Sequence, residues 1–159
     1  TGVQTCALPI SCIIGESIEL VAEPFIVQSK IHKFEIMLPD KSIELNVDKE
    51  KMDQVLRNLL SNAVKYSPDG GKIQIKGKLE KDSYHVSVQD EGLGMSPEQV
   101  DKIFDKFYRA DTGNTAIEGT GLGMNIVKHI IEAHDGEIRV ESEPKIGTKV
   151  TFILPLKQT

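Results

Sequence analysis

The sequence lacks several features that mark well-known classes of protein. It has only two cysteines among 159 residues, Cys6 and Cys12, and they provide neither a disulfide framework nor a metal-binding spacing. It has no excess of positive charge, since 24 acidic residues against 19 basic ones give a net charge of −5, which argues against a nucleic-acid surface. It has no apolar run as long as a membrane span. We therefore expect a protein of a reducing compartment with no nucleic-acid partner.

The first ten residues differ from the rest of the chain. Residues 1–10 (Thr-Gly-Val-Gln-Thr-Cys-Ala-Leu-Pro-Ile) show no periodicity and lack the charged start and apolar stretch of a signal peptide. They resemble the translation of a common sequencing-library adaptor, so we interpret them as a non-native tail; a natural disordered N-terminus is the alternative. Under the first interpretation the natural gene continues upstream and this chain is a fragment. Residues 11–159 are expected to form one domain, for which their number is sufficient.

Hydrophobic periodicity predicts a mixture of helices and strands. Helices are expected at residues 15–33, at 48–66 with Asp48 as N-cap, in a short segment opened by residues 96–98, and at 122–134. Strands are expected at residues 34–38 and 43–47 as a hairpin, and at 72–79, 84–88, 137–141 and 149–154. Residues 105–120 have no clear period, and a connection of that length is usual only where it moves or binds something. This order of elements predicts an α+β fold with helices on a mainly antiparallel sheet.

Polar side chains form a stripe on the helix predicted at residues 48–66. Asn58, Asn62, Lys65 and Tyr66 follow the i, i+4, i+7, i+8 spacing and lie beside a broad apolar face. Amide oxygens suit Mg²⁺ when a triphosphate supplies the negative charge, and a lysine can contact a phosphate as a point charge. The aromatic ring at position 66 offers a flat face to a sugar or base. Such residues can also be polar flank residues without a function, but two asparagines and a lysine on one stripe favour a ligand site.

A first glycine-rich turn occupies residues 90–95 (Asp-Glu-Gly-Leu-Gly-Met). Val86 and Val88 are predicted to point inward, so Asp90 continues the same face at the end of the strand. An inward carboxylate is costly unless a donor satisfies it, and the exocyclic amine of adenine is a suitable donor. Gly92 and Gly94 allow positive φ and close approach of a base. A plain surface turn is the alternative, because Asp-Glu-Gly is common in turns.

A second glycine-rich turn occupies residues 119–124 (Gly-Thr-Gly-Leu-Gly-Met) and leads into a helix. Free N–H groups at a helix N-terminus favour an anion. The turn is neither a P-loop nor a Rossmann turn, because no Gly-Lys-Ser/Thr follows it and no strand leads directly into it. Arg109, in the long connection before it, can neutralise charge on a transferring γ-phosphate, although a solvated arginine is a serious alternative. Phe104 and Phe107 are expected to anchor that connection by packing.

The four histidines are expected to be structural rather than catalytic. His32 and His85 have no partner evident in the sequence and are expected at the surface, His129 lies at the edge of an apolar arc, and His134 lies near a helix C-terminus. None has the sequence context expected around a phosphoacceptor histidine. The chain therefore offers a nucleotide site without an evident acceptor for a phosphoryl group.

In this order the motifs resemble the catalytic, ATP-binding domain of bacterial two-component sensor histidine kinases, over about residues 15–156. The N box corresponds to residues 58–66, the G1 box to 90–94, the F box to 104–107 and the G2 box to 119–123. The resemblance implies a Bergerat-type (GHKL) two-layer α/β sandwich, with a mixed, mainly antiparallel sheet covered by about three helices. It implies ATP and Mg²⁺ as cofactors, and transfer of the γ-phosphoryl group to a histidine on a separate dimerisation domain and then to an aspartate of a response regulator.

The resemblance also assigns roles to residues. It implies that Asn62 and Asn58 serve Mg²⁺, that Lys65 and Arg109 meet phosphates, and that Asn58, Lys65 and Arg109 act in catalysis. It implies that Tyr66 packs against the nucleotide and that Asp90 holds the adenine amine. The residues expected to shape the pocket and lid are Gly92, Gly94, Gly119, Thr120, Gly121, Leu122 and Gly123. The phosphoacceptor (dimerisation) domain is absent from the sequence, so we expect this fragment to be monomeric. The resemblance implies that the full-length protein is dimeric and membrane-anchored and that this fragment belongs to its cytoplasmic part.

Three other functions use the same fold or site. Gyrase- and Hsp90-type ATPases carry a Glu as general base four residues before the metal-binding Asn, and Asn58 in that position is a poor base. An anti-sigma-factor kinase would phosphorylate Ser, but the segment Phe-Tyr-Arg-Ala-Asp at residues 107–111 favours the histidine-kinase branch. A non-catalytic nucleotide-sensing module is the third alternative.

Overall fold

A computed structural model gives the structure of the chain and describes residues 11–105 and 123–156. Its helices are α1 (Ile14–Gln28), α2 (Lys49–Lys65), α3 (Pro97–Lys102) and α4 (Gly123–Ala133). Its strands are β1 (Ser11–Ile13), β2 (His32–Met37), β3 (Glu44–Asn46), β4 (Gly71–Glu80), β5 (Ser83–Asp90), β6 (Glu137–Glu143) and β7 (Gly147–Pro155). Within the described ranges no helix is both long enough and apolar enough to cross a membrane.

The strands form a five-stranded sheet and a small two-stranded one. The larger sheet has the order β2-β4-β5-β7-β6, in which β2 and β4 are parallel and the other pairs are antiparallel. Alternation on β4 buries Ile73 and Ile75 and exposes Lys72 and Lys76, so one face of the sheet packs on helices and the other faces solvent. This arrangement confirms the expected α+β sandwich with a mainly antiparallel sheet.

The predicted hairpin at residues 34–38 and 43–47 is wrong. Strand β2 pairs with β4 in parallel, with Phe34 opposite Ile73, whereas β3 pairs with β1 in the small sheet, with Leu45 opposite Cys12. The turn between them does form, since the Asp40 carboxylate accepts a hydrogen bond from the backbone N–H of Ser42 at 2.9 Å. A period of two shows that a segment has a buried face, but it does not show which strand lies beside it.

The first helix is shorter than predicted because its C-terminal segment forms other hydrogen bonds. It ends at Gln28 rather than near residue 33, and Pro24 lies within it. The Ser29 hydroxyl and His32 Nδ1 are 2.6 Å apart, and His32 Nε2 lies 2.8 Å from the backbone oxygen of Ser67. These contacts of the Ser29 and His32 side chains compete with the backbone hydrogen bonds that would continue the helix. His32 is thus a half-buried bridge between elements rather than the surface residue that the sequence indicated.

The second helix has the predicted bounds within one residue. Asp48 is its N-cap and accepts a hydrogen bond from the backbone N–H of Lys51 at 3.2 Å. The broad apolar face that the sequence predicted beside the polar stripe is buried, and it consists of Met52, Val55, Leu56, Leu59, Leu60 and Ala63. This helix packs against α1, α4 and β5. Of the polar stripe, Asn58, Asn62 and Tyr66 are half-buried and Lys65 is exposed.

We expect Asp48→Ala to destabilise the domain by about 1 kcal/mol, because the mutation leaves a helix N–H without its acceptor. Chemical denaturation measures the change in unfolding free energy. Asp69→Ala is the matched control, since Asp69 is exposed beyond the other end of the same helix and should change stability by less than about 0.5 kcal/mol. Equal effects of the two substitutions would contradict the assigned cap.

Candidate nucleotide-binding site

Two neighbouring rows of the sheet form the floor of a cavity beneath the helices. Strand register places Val88, Val150 and Val140 side by side on β5, β7 and β6, and all three line the cavity. The next row places Asp90 opposite Thr148, and these two also line it. The floor therefore has an apolar part and, at the end of β5, a polar part.

The walls come from the helices and from the segment that follows β5. The wall residues are Leu59, Asn62, Ala63 and Tyr66 of α2, Met124 of α4, and Gly94, Met95 and Ile103. The structure thus brings Asn62, Tyr66 and Asp90 together around one cavity, as the sequence predicted. Asn58 and Lys65 are not among the lining residues: Asn58 is half-buried one turn before Asn62, and Lys65 is exposed.

Asp90 is the buried carboxylate that strand alternation predicted. Only 7% of its surface is exposed, and burial raises its pKa from 3.8 to about 6. The backbone N–H groups of Gly92, at 2.9 Å, and of Thr148 donate to the carboxyl and oppose this rise, as do the nearby Ser67 and His32. Because burial penalises the charged form, a hydrogen-bond donor that enters the cavity would stabilise the Asp90 carboxylate.

The glycines of the first turn are explained by contacts with the protein backbone. A Cβ atom at Gly92 would collide with the carbonyl oxygen of Tyr66, and one at Gly94 would collide with that of Glu143. Gly94 uses the positive φ that glycine allows, at +66°, whereas Gly92 does not adopt a positive φ. The N–H of Leu93 donates to Tyr66 at 2.9 Å, so the turn is held against the end of α2. Close approach of a base to these glycines stays a prediction.

The second glycine turn lies mostly outside the described residues. Arg109, Phe107, Gly119, Thr120, Gly121 and Leu122 all fall in the range that the structure does not describe. Gly123 is the first residue of α4, and its carbonyl oxygen accepts a hydrogen bond from Asn58 Nδ2 at 3.4 Å. Before the gap, the carbonyl oxygen of Phe104 accepts from Asn125 Nδ2 at 3.0 Å. The residues on either side of the undescribed range, Phe104 and Gly123, are thus hydrogen-bonded to α4 and α2, which form walls of the cavity.

Sequence reasoning missed several residues of the site. Thr148 and Val150 lie opposite Asp90 and Val88 only because β7 pairs with β5, and Met95 turns inward after the glycine turn. The periodic pattern of residues 149–154 indicated a strand, but no local signal indicated its neighbour. These residues enter the site through strand register, which is a long-range property.

Comparison with known proteins identifies the class. Residues 47–158 match the family described as "Histidine kinase-, DNA gyrase B-, and HSP90-like ATPase", and the chain belongs to this family. Sensor histidine kinase WalK of Bacillus subtilis is 44% identical over 124 residues, which cover 76% of this chain and 20% of WalK. Sensor histidine kinase RcsC of Escherichia coli K12 is 36% identical over 134 residues, which cover 84% of this chain and 14% of RcsC.

A solved structure gives the same assignment. The catalytic domain of histidine kinase ThkA, in a nucleotide-free form, aligns with a TM-score of 0.81 and 29% sequence identity, covering 92% of this chain and 95% of that one. The chain is an ATP-binding catalytic domain of the sensor-histidine-kinase type, which confirms the predicted fold and resemblance. It spans a fifth or less of the length of the two curated relatives, 20% and 14%.

Proposed function

We propose that the domain binds Mg-ATP and transfers its γ-phosphoryl group to a histidine on a dimerisation domain elsewhere in a longer protein, which then passes it to a response regulator. One observation carries this proposal: Asp90 is buried in the same cavity that Asn62 and Tyr66 line. A cytoplasmic location and membrane anchorage of the longer protein belong to the same proposal.

The adenine base fits the floor of the cavity. Its faces are apolar, as are Val88, Val140, Val150 and Met95, and its exocyclic amine can donate to the Asp90 carboxylate. The donor would stabilise the charged form of a carboxyl group whose pKa burial has raised. Tyr66 packs beside the nucleotide in this arrangement.

The phosphates and Mg²⁺ belong at the end of the cavity where α2 faces the start of α4. Asn62 lines the cavity there, and Asn58 contacts Gly123. In the described part of the chain no group of three His, Cys, Asp or Glu side chains is placed to hold a metal. Amide oxygens, the triphosphate and water are ligands that suit Mg²⁺ at this end of the cavity. Lys65 and Arg109 would contact the phosphates, and residues 119–123 would shape the lid.

Substitution Asn62→Asp is expected to reduce Mg²⁺-dependent transfer by about tenfold or more, because a carboxylate near a triphosphate adds a like-charge repulsion of about 1–4 kcal/mol. Asn46→Asp makes the same change at an exposed residue of β3 and is the matched control. Transfer rates at several Mg²⁺ concentrations test the prediction. Equal rates for the Asn62→Asp and Asn46→Asp proteins would count against the metal site.

The transfer reaction is distinguished from hydrolysis by its product. The chain is mixed with γ-labelled ATP and a histidine-bearing dimerisation domain of a sensor histidine kinase, and a variant of that domain with the histidine replaced by glutamine is the control. Label that is acid-labile, base-stable and dependent on the histidine is expected. Release of free phosphate without this label would favour an ATPase, although Asn58 offers no side-chain base to activate water.

A further inference from the structure

The Ser142 hydroxyl joins three parts of the cavity's frame although it does not line the cavity. It lies on β6, and its oxygen accepts a hydrogen bond from the backbone N–H of Met95 at 2.8 Å. It also contacts the carbonyl oxygen of Gly147 at 3.0 Å and the hydroxyl oxygen of Thr148 at 2.8 Å. The glycine turn after β5 and the first residues of β7 are thus attached to one side chain.

The number of protons at this junction fixes the direction of each hydrogen bond. A serine hydroxyl has one proton, and the Gly147 carbonyl oxygen can only accept. If Ser142 donates to Gly147, the short contact between Ser142 and Thr148 requires the proton of Thr148. This arrangement satisfies all three contacts, whereas donation from Ser142 to Thr148 would leave two oxygens 3.0 Å apart without a proton between them.

Thr148 lines the cavity, so the direction of its hydrogen bond affects which ligand groups the cavity can accept. A threonine hydroxyl that has committed its proton to Ser142 can only accept from a ligand. Thr148 lies opposite Asp90 in the strand register, and the Asp90 carboxylate is also an acceptor. The polar end of the floor would therefore present two neighbouring acceptors, which match a ligand edge carrying an amine and disfavour one carrying a carbonyl oxygen.

We infer that Ser142 is a positioning residue that holds Thr148 as a hydrogen-bond acceptor and thereby makes the site prefer a 6-amino purine over a 6-keto purine. The inference rests on the proposed nucleotide site. It assigns base discrimination to a side chain beside the cavity floor, in addition to Asp90 within the cavity.

Binding of ATP and of inosine triphosphate by the 159-residue chain tests the inference. Ser142→Ala frees the Thr148 hydroxyl to rotate and donate to a keto oxygen, so the ratio of ATP affinity to inosine triphosphate affinity should fall by about fivefold or more. Ser142→Thr keeps a hydroxyl and should preserve the ratio. Thr148→Val removes the hydroxyl and should lower the ratio, and adding Ser142→Ala to it should have little further effect because the two residues act through one group.

The outcomes separate this inference from the proposed function. A purely structural role of Ser142 would weaken binding of both nucleotides equally in the Ser142→Ala protein, and that result would overturn the inference while leaving the nucleotide site intact. A further fall of the ratio when Ser142→Ala is added to Thr148→Val would also overturn it. If the unmodified chain binds neither nucleotide, the proposed function fails and the inference fails with it.

Discussion

Replacing Asp90 by asparagine is expected to weaken ATP binding strongly and, at the same time, to stabilise the nucleotide-free domain at neutral pH. Binding should fall by about 10- to 100-fold, because a hydrogen bond to a charged acceptor contributes about 1.5–3 kcal/mol. An asparagine side chain can turn its own N–H₂ toward the adenine amine, which then lacks an acceptor. Calorimetric titration with Mg-ATP measures this loss.

The gain in stability follows from the raised pKa of Asp90. The folded-state pKa is about 6 against 3.8 for the unfolded chain, so the folded protein holds this proton more tightly. Well below pH 3.8 the group is protonated in both states and its burial costs nothing. Stability is lost as the pH rises from about 4 to 6, and above that range the charged carboxylate costs about 3 kcal/mol, at 1.36 kcal/mol per pKa unit. Asparagine avoids this cost.

Urea unfolding of the two proteins across this pH range tests the second effect. We expect Asp90→Asn to be more stable by about 1–3 kcal/mol at about pH 7.5, with the difference shrinking toward zero near pH 4. Asp69→Asn, at an exposed position, is the isosteric control and should show no such pH dependence. Unchanged ATP affinity of the Asp90→Asn protein would count against the pocket as we describe it, and a stability difference that is independent of pH would contradict the raised pKa.

The second large effect is expected for Gly94→Ala. Gly94 has a φ of +66°, where an alanine costs about 1–2 kcal/mol, and its new Cβ atom would collide with the backbone of Glu143. Because the obstacle is backbone rather than a flexible side chain, the turn itself must move. We expect a loss of unfolding free energy of about 2 kcal/mol or more, together with weaker ATP binding.

Gly123→Ala is the control for folding. It lies in the first turn of α4, and the nearest atom to a Cβ at this position is Asn58 Cγ at 3.9 Å. Alanine in a helix should be neutral or stabilising by up to about 1 kcal/mol. Denaturant unfolding compares the two variants. If Gly94→Ala lost less than about 0.5 kcal/mol, the tight packing of the turn against the β6–β7 connection would be wrong.

The sequence predicted the structure correctly where the pattern of residues within one helix or strand determines which side chains are buried. The 3.6-residue period and the Asp48 cap located α2 and its buried face, and alternation along β5 predicted the inward Asp90. Both patterns are local, so each can be read from one segment. Asn62 and Tyr66 of the polar stripe on α2 and Asp90 at the end of β5 then line one cavity because both elements face the same core.

The sequence was insufficient where the result depends on which elements are neighbours. Strands β2 and β3 have the alternation of a hairpin, yet they join different sheets. Thr148 lies beside Asp90 and Ser142 lies beside Thr148 only because β7 pairs with β5 and with β6, and nothing near these residues in the chain signals this. Sequence reasoning explained Gly92 by its backbone freedom and by the approach of a base, but the structure requires glycine there because the Tyr66 carbonyl oxygen is close.

The position of β7 in the sheet has a consequence for biosynthesis. It is the last strand in sequence among the described residues, yet it lies between β5 and β6. During translation those two strands therefore have no common partner until residues 147–155 leave the ribosome. A nascent chain stopped before that point lacks the strand that joins β6 to the rest of the sheet, and with it Thr148 and Val150 of the cavity floor. One edge of β5 and the whole of β6 then stay unpaired, which favours aggregation.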